Sequence, residues 1–562
     1  MNRFDTHEVF NQVRPFENVN LFTCDVVLRE ALEREGGHSA TASLMELGAD
    51  LGSSDILDLG RQANENPPRL RNFDANGRRI DEVEFHPSWH KLMEMLVENG
   101  THASPWEGKH HGGAQVARAA RYILFGQVEN GSQCPVTMTY ACVPALKQTP
   151  VIAARWLPKI LSRVYDSRPL PVDQKRGALI GMGMTEKQGG SDVRANTTRA
   201  EPVPPTEARD LFGAEGEHVF RITGHKFFFS APQSDAHLVL AQTEDAGSAG
   251  LSCFLVPRFL SDGTRNQIRV QRLKDKVGNR SNASSEVEFT GAFGWLLGQQ
   301  GRGIQTILEM GTYTRLDCVL GTAGIMRAAL THALHHARRR SVFGKPLAEQ
   351  PLMQNVLADL ALESEAATIF AMRLARCFDY MEKPAEALLA RLLTPAGKYW
   401  ICKRGPTFGA EAMEVLGGSG YVEESALARL YRELPVNSIW EGSGNVMCLD
   451  LLRALGKSPQ SREVLAAELA LAGNANPVYT RYVDNLLNEL ANAHGDEFGA
   501  RVLAERIVLA VQASLLLRHA PAFVSEAFVA TRLACQPGGA FGRLPAGTQC
   551  EAILQRALIE NA

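Results

Sequence analysis

The chain has 562 residues, too many for one ordinary domain and enough to bury a large core. It is 45% hydrophobic and 22% charged, with a formal net charge of -3, so no global field draws it to nucleic acid or to a membrane. Ten cysteines are scattered from Cys24 to Cys550 without CxxC spacing, which argues against a zinc site or a disulfide framework and predicts reduced thiols in a cytoplasm.

The first residues, MNRFDTHEVFNQVRP, carry an early acid and no apolar stretch of signal-peptide length. No uninterrupted apolar run reaches the roughly 18 residues that a membrane-spanning helix needs. From Asp25 to about Pro171 the spacing of apolar residues predicts helices, in VVLREALEREG, SLMELGADLG, WHKLMEMLVENG and GAQVARAARYILFGQVENG. Between them, ENPPRL reads as a loop, because paired prolines forbid helix. From about Gly177 to Gly298 short runs rich in Val, Ile and Phe, bounded by Gly, Pro, Asn and Asp, predict six or more strands. Helical spacing returns at Gly303, in segments long enough for a bundle, and a further helical set follows the GKSPQS break. This order divides the chain into an N-terminal helical domain at 1–176, a central β-domain at 177–298, a helical bundle domain at 299–455 and a C-terminal helical extension at 456–562.

Five segments within this order carry more than periodicity. They are MGMTEKQGGSDV at 182–193, HKFFFSAPQSDAHLVLAQT at 225–243, DKVGNRSNASSEVEF at 275–289, RRSVFGKPLAEQPLMQNVLADL at 339–360 and EVLGGSGYVEESALARLYRELPVNSIWEGSGN at 414–445. They resemble, in order and spacing, the flavin and active-site motifs of the acyl-CoA dehydrogenase superfamily. The details TEKQGGSD and PVNSIWEGSGN, with about a hundred residues beyond them, are closest to its AidB subfamily, flavoproteins of the adaptive response to DNA alkylation. The resemblance implies an acyl-CoA dehydrogenase-like fold: N-terminal helical domain, central β-domain, C-terminal four-helix bundle and an extra helical segment. It also implies FAD as cofactor and a homotetramer.

Carried over position by position, Met182, Met184 and Thr185 match residues lining the flavin ring. Ser191, in the GGSD turn, matches a contact to its phosphates. Such a turn lets backbone amides approach a phosphate, although alone it reads equally as a plain glycine turn. Phe228 stands where the family usually has tryptophan against the flavin, and Ser230 where it has threonine. Phe227 and Phe229 read as core. Arg340 and Phe343 match residues that reach the diphosphate half of a flavin in a neighbouring subunit, where a planar guanidinium suits two oxygens at once. The family's glutamine falls on Pro351, with Gln350 and Gln354 nearby. Gly417, Gly418, Ser443 and Asn445 match further flavin contacts, whereas Glu414 replaces a usual glutamine.

Glu441 occupies the position of the catalytic base, which removes an α-proton from an acyl thioester. The alternative base position of some relatives is Thr314, before Arg315. Trp440 replaces a tyrosine and adds bulk beside the base, which would narrow the pocket for acyl-CoA as a partner, so activity on acyl-CoA is expected to be weak. The AidB resemblance also implies contact with double-stranded DNA. The extension holds nine Lys plus Arg against ten Asp plus Glu, nearly all its cations arginine. Arg506, Arg518 and Arg532 are its candidate phosphate contacts. No helix-turn-helix or zinc finger is visible. The pairs His110–His111 and His335–His336 lack the spacing of metal ligands, and GMGMTEKQGG lacks that of a dinucleotide fold, so neither a metal nor a Rossmann site is expected. The alternative is a working dehydrogenase of short branched acyl-CoA whose extension serves only assembly.

Overall fold

The computed structural model describes residues 6–108, 112–212, 218–243, 250–492, 496–534 and 539–559. His110 and His111 lie outside the described residues. In chain order the first helices are α1 (Val26–Arg34), α2 (Thr41–Leu51) and α3 (Ser54–Glu65). A hairpin, β1 (Arg69–Phe73) and β2 (Arg79–Glu84), precedes α4 (Pro87–Glu98), α5 (Ala114–Gly126), α6 (Gln133–Ala141), α7 (Val143–Lys147) and α8 (Pro150–Ile160). Then come β3 (Ile180–Gly183), β4 (Arg199–Pro202), α9 (Pro205–Phe212), β5 (Val219–Ser230), β6 (Ala236–Gln242), β7 (Leu251–Pro257), β8 (Ile268–Leu273) and β9 (Ser284–Leu297).

The long helices are α10 (Gly303–Arg339), α11 (Pro351–Asp379) and α12 (Pro384–Val415), with the small hairpin β10 (Ser341–Val342) and β11 (Lys345–Pro346) after the first. Short α13 (Gly418–Tyr421), α14 (Ala426–Asn437) and α15 (Gly444–Lys457) follow, and the extension adds α16 (Gln460–Ala470), α17 (Pro477–Asn492), α18 (Ala500–His519), α19 (Ala522–Arg532) and α20 (Cys550–Ala557). Among the described residues no helix is long and apolar enough to cross a membrane.

The chain divides into two compact units whose limits differ from a linear division. One comprises 1–57, 111–128 and 318–562; the other comprises 58–110 and 129–317. The second unit holds the sheet, seven strands in the order β3-β5-β4-β6-β7-β9-β8. β5 also pairs with β9, and β3 with β6, so the sheet curls back upon itself. Ile222, Phe229, Val239, Phe254, Val256, Val287 and Phe289 fill its core, the inward half of alternating strands. β4 is a strand that apolar patterning missed: RAEP has one buried residue, so it carries little hydrophobic signal. The β1–β2 hairpin is an addition to the mainly helical N-terminal region that periodicity did not predict. Its turn, Asp74–Arg78, contains Asn-Gly and is closed by Asp74 accepting from the backbone of Asn76 and Arg78 at 2.8 Å, a hairpin signal that charged strands obscured.

In the first unit the extension is packed in, not appended. α18 is buried along most of its length, through Leu503, Ile507, Val511 and Leu515. Arg373 on α11 pairs with Glu468 on α16 at 2.8 Å, and Arg556 on α20 with Glu365 on α11 at 2.9 Å. Breaking one such buried pair exposes the other charge to a low dielectric, which ties the extension to α11.

Candidate active site

In the sheet unit β3 brings the ring-wall motif together. Met182 lies opposite Ser230 on β5, and the residues Ile180–Gly183 run parallel to Ala236–Val239 on β6. Gly181 and Gly183 are required by close packing: a Cβ at Gly181 would stand 2.3 Å from His237, and one at Gly183 2.6 Å from Phe229. Phe229 is buried and stacks on His237, ring centres 4.0 Å apart. Burial pushes the His237 imidazole down to about 3, so it packs as a neutral ring.

A register shift between Lys226 and Phe229 changes the expected alternation. Lys226 and Phe229 point inward, Phe228 is 48% exposed, and Phe227 is only half-buried, under the Lys274 ammonium at 3.5 Å. Phe227 is therefore not core, because the irregularity turns it out of the barrel.

The TEKQGGSD turn hangs on one ion pair. Glu186 and Lys226 meet at 2.7 Å with both side chains fully buried. Burial alone would raise the Glu186 carboxyl, but Lys226 and hydrogen bonds from Thr198 and the Thr197 amide outweigh it and hold it at about 2. Burial lowers Lys226 to about 8, with Glu186 opposing the shift, so both are charged at neutral pH. Backbone bonds Glu186 N–H to Gly189 O, 2.9 Å, and Gly189 N–H to Glu186 O, 3.2 Å, close the turn. This leaves Thr185 half-buried and Ser191 exposed, and Met184 offers its carbonyl to Asn196 at 2.8 Å. In the same unit Ser281, from the KxGxRxS-like turn, donates to Glu129 at 2.6 Å, and Thr314 is buried with its hydroxyl on Gly311.

The helical unit carries the other motifs. Glu441 sits between α14 and α15 with φ 58°, followed by Gly442 at φ 105°. A non-glycine residue in the left-handed region stores strain that surroundings must hold. The holder is Lys398, buried within α12, whose Nζ donates to the Gly442 carbonyl at 2.6 Å. Beside the base, Trp440 donates its indole N–H to Asn437 at 3.1 Å, and Asn437 donates in turn to Thr322 at 3.1 Å. The indole is thereby pinned. Ser443 is the N-cap residue of α15, and Asn445 accepts from Arg501 of the extension at 2.8 Å. Gly417 (φ 60°) and Gly418 form an open loop in which a Cβ would meet nothing, and Glu414 is exposed.

The Arg340–Phe343 motif forms a two-residue hairpin. Phe343 (φ 51°) and Gly344 (φ 85°) make its tip, and the Phe343 side chain is 98% exposed. The Arg340 guanidinium donates to the Asn11 carbonyl, and Asn11 also exchanges two hydrogen bonds with Ser341 at 2.8 and 2.9 Å. Gln350 donates to the Val342 carbonyl at 2.9 Å, so it buttresses the hairpin from inside. Pro351 opens α11.

The three arginines proposed for DNA are engaged within the chain. Arg532 is half-buried against Asp359 at 2.6 Å and Glu363 at 3.0 Å; Arg518 reaches Glu468 at 3.5 Å, and Arg506 pairs with Glu489. Each therefore has a carboxylate partner within the chain. Among the described residues no group of three or more His, Cys, Asp or Glu stands together to hold a metal ion.

The residues present fit a flavin. In the sheet unit Phe228 is half-exposed, with the Lys274 ammonium 4.5 Å from its ring, an apolar edge beside a cation that suits a flavin, and Thr185, Ser191 and Ser230 add hydroxyl donors. Sequence reasoning missed Lys398 and Glu129. The signal for Lys398 was a lone cation in the apolar stretch LLTPAGKYWI, where a buried lysine must find an acceptor.

Comparison with known proteins accords with this geometry. Residues 11–167 match the adaptive response protein AidB N-terminal domain, 181–292 the acyl-CoA dehydrogenase middle domain, and 301–456 the acyl-CoA dehydrogenase C-terminal domain. The chain is 52% identical to the putative acyl-CoA dehydrogenase AidB of Escherichia coli over 92% of its own length and 93% of that protein. Among solved structures it is similar to the apo form of Bd2924 (TM-score 0.82, 29% identity, 91% of this chain and 100% of that one). It is also similar to Caenorhabditis elegans ACDH-11 in complex with C11-CoA (TM-score 0.81, 26% identity, 98% and 93%). With a helical N-terminal part, a middle β-domain, a C-terminal helical domain and extra helices beyond it, the chain belongs to the acyl-CoA dehydrogenase family, in its AidB-like branch.

Proposed function

We propose that the chain is an FAD-binding protein that contacts double-stranded DNA in the response to alkylation damage and retains weak acyl-CoA dehydrogenase activity. The observation that carries the catalytic part is the Glu441 turn, a carboxylate on a left-handed backbone held by Lys398 and preceded by the pinned ring of Trp440. FAD, when bound, supplies the two-electron acceptor for oxidising the substrate's Cα–Cβ bond. Met182, Met184, Thr185, Ser191, Phe228, Ser230, Gly417, Gly418, Ser443 and Asn445 are the proposed contacts that bind and orient it. Glu441 takes the α-proton, and the fixed backbone keeps its carboxylate from swinging away. Trp440 limits the acyl groups that reach the base.

Arg340 and Phe343 serve the cofactor of a neighbouring subunit in a homotetramer, which the wholly exposed Phe343 ring supports. The proposed location is the cytoplasm. Contact with DNA rests on the likeness to AidB, with Arg506, Arg518 and Arg532 as its first candidates. Their internal ion pairs favour a second reading, a working acyl-CoA dehydrogenase whose extension serves assembly.

Two measurements on the purified holoprotein separate these readings. Slow anaerobic bleaching of the flavin by isovaleryl-CoA, together with a duplex DNA shift that weakens with salt, supports the first. Fast bleaching without a shift selects the second. Protein that stays colourless after incubation with FAD overturns both.

A further inference from the structure

Apart from the flavin motifs, the sheet unit contains a cleft of about 330 Å³, large enough for a small organic molecule. The β1–β2 hairpin, α4, the segment 165–169 and the start of β6 line it. Its carboxylates are already matched by cations. Asp235 holds Lys175 at 2.7 Å, Asp166 holds Arg168 at 2.7 Å, and Glu82 and Glu84 hold Arg71 at 3.0 and 3.2 Å.

Arg258, at the end of β7, differs. Its guanidinium donates to the Gln233 carbonyl at 3.1 Å, and no carboxylate among the described residues forms an ion pair with it. Burial lowers its pKa to about 10, with Arg265 adding to the shift and Asp235, Glu82 and Asp81 opposing it from farther away. It remains a cation. Both amide atoms of Gln233 and the indole N–H of Trp89, in the same lining, are buried without a partner. Water can satisfy orphaned donors, but it does not neutralise a half-buried guanidinium. Donors therefore outnumber acceptors around an unmatched positive charge, and the wall beside them is aromatic, with Phe85 stacked on Trp89 at 3.8 Å.

We propose that this cleft binds a small organic monocarboxylate, its carboxylate on Arg258 with N–H donors from Gln233 and Trp89, its flat apolar body against Phe85. A guanidinium presents two parallel N–H groups that match the two oxygens of such a group. A phosphate dianion is disfavoured because Arg258, once the carboxylates of the cleft are paired with other cations, balances a single negative charge. The site lies in one unit and does not depend on the flavin reading.

Calorimetry of the full-length protein with benzoate as probe tests it, with benzamide and inorganic phosphate as controls. Saturable benzoate binding is expected, weakened about tenfold or more in Arg258→Gln by loss of a charged hydrogen-bonded contact. Gln233→Leu, which removes no charge, provides the same test if Arg258→Gln fails to fold, with a smaller loss expected. Binding of benzoate that neither variant weakens overturns the proposal. So does phosphate binding tighter than benzoate, or a crystal grown with benzoate that shows only water at Arg258.

Discussion

Two turns carry family motifs in this protein, and they are held rigid by opposite means. The turn at 185–192 is clamped by a buried ion pair, Glu186–Lys226, with both charges matched and further bonds from Thr197 and Thr198. The turn at 438–443 is held by a buried lysine whose ammonium, among the described residues, meets a backbone carbonyl and no carboxylate. The first device is internally balanced and stabilises the sheet as well as the motif. The second sets an ammonium with no ion-pair partner among the described residues next to a strained backbone, an arrangement suited to keeping a carboxylate in one place. A matched pair stabilises the fold, whereas an unmatched one is explained more readily by function.

The contrast can be broken or sharpened by substitution. Glu441→Gln is expected to slow flavin bleaching by acyl-CoA by about a thousandfold, the scale of a general base, while FAD stays bound. Bleaching at the wild-type rate would remove Glu441 from the chemistry. Lys226→Met leaves Glu186 buried and alone, and should cost about 3–5 kcal/mol in urea unfolding. Lys226→Met with Glu186→Leu should recover most of that loss, because two apolar groups replace the pair; no recovery would mean that the pair does more than balance charge.

Glu363 provides a pH test in the extension's own network. Burial would raise its carboxyl, but Arg404 and Arg532 bring it down to about 2, against 4.5 when free. The folded state binds fewer protons between these values, so its contribution is present above about 4.5 and is lost as pH falls through about 2. Glu363→Gln should therefore melt lower than wild type at pH 7, with the gap closing in acid; a constant gap would deny the ion pairs their role.

Lys398→Met should slow bleaching by about tenfold, the loss of one hydrogen bond from a charged donor, with the spectrum of bound flavin unchanged. A fall in FAD content instead would make Lys398 a folding residue. The smallest effect is expected from Trp440→Tyr, a few-fold faster bleaching with isovaleryl-CoA, since about 1 kcal/mol separates side chains of such similar shape. A slower rate would show that the indole positions the base rather than crowding it.

Much of the fold was legible in sequence because its signals are local. The change from helical to alternating periodicity and back located the strands between residues 177 and 298, and the five motifs stood in family order. The β1–β2 hairpin was obscured because its strands, RLRNF and RIDEVE, are charged and mostly unburied, so apolar patterning had nothing to detect. Strand β5 was legible as a strand, but the register shift that turns Phe227 outward was not, because a bulge arises from pairing with β9.

By itself, the sequence determined the family, the order of helices and strands, and the motif residues, because each depends on residue type and near-neighbour spacing. Only the tertiary structure decided where the charges end. It set Arg532 between Asp359 and Glu363, placed Lys398 under the Glu441 turn and gave Arg258 no ion pair with a carboxylate among the described residues. Charge pairing acts through space between residues far apart in the chain, in surroundings whose dielectric is set by the packed fold, and one-dimensional spacing carries no record of either.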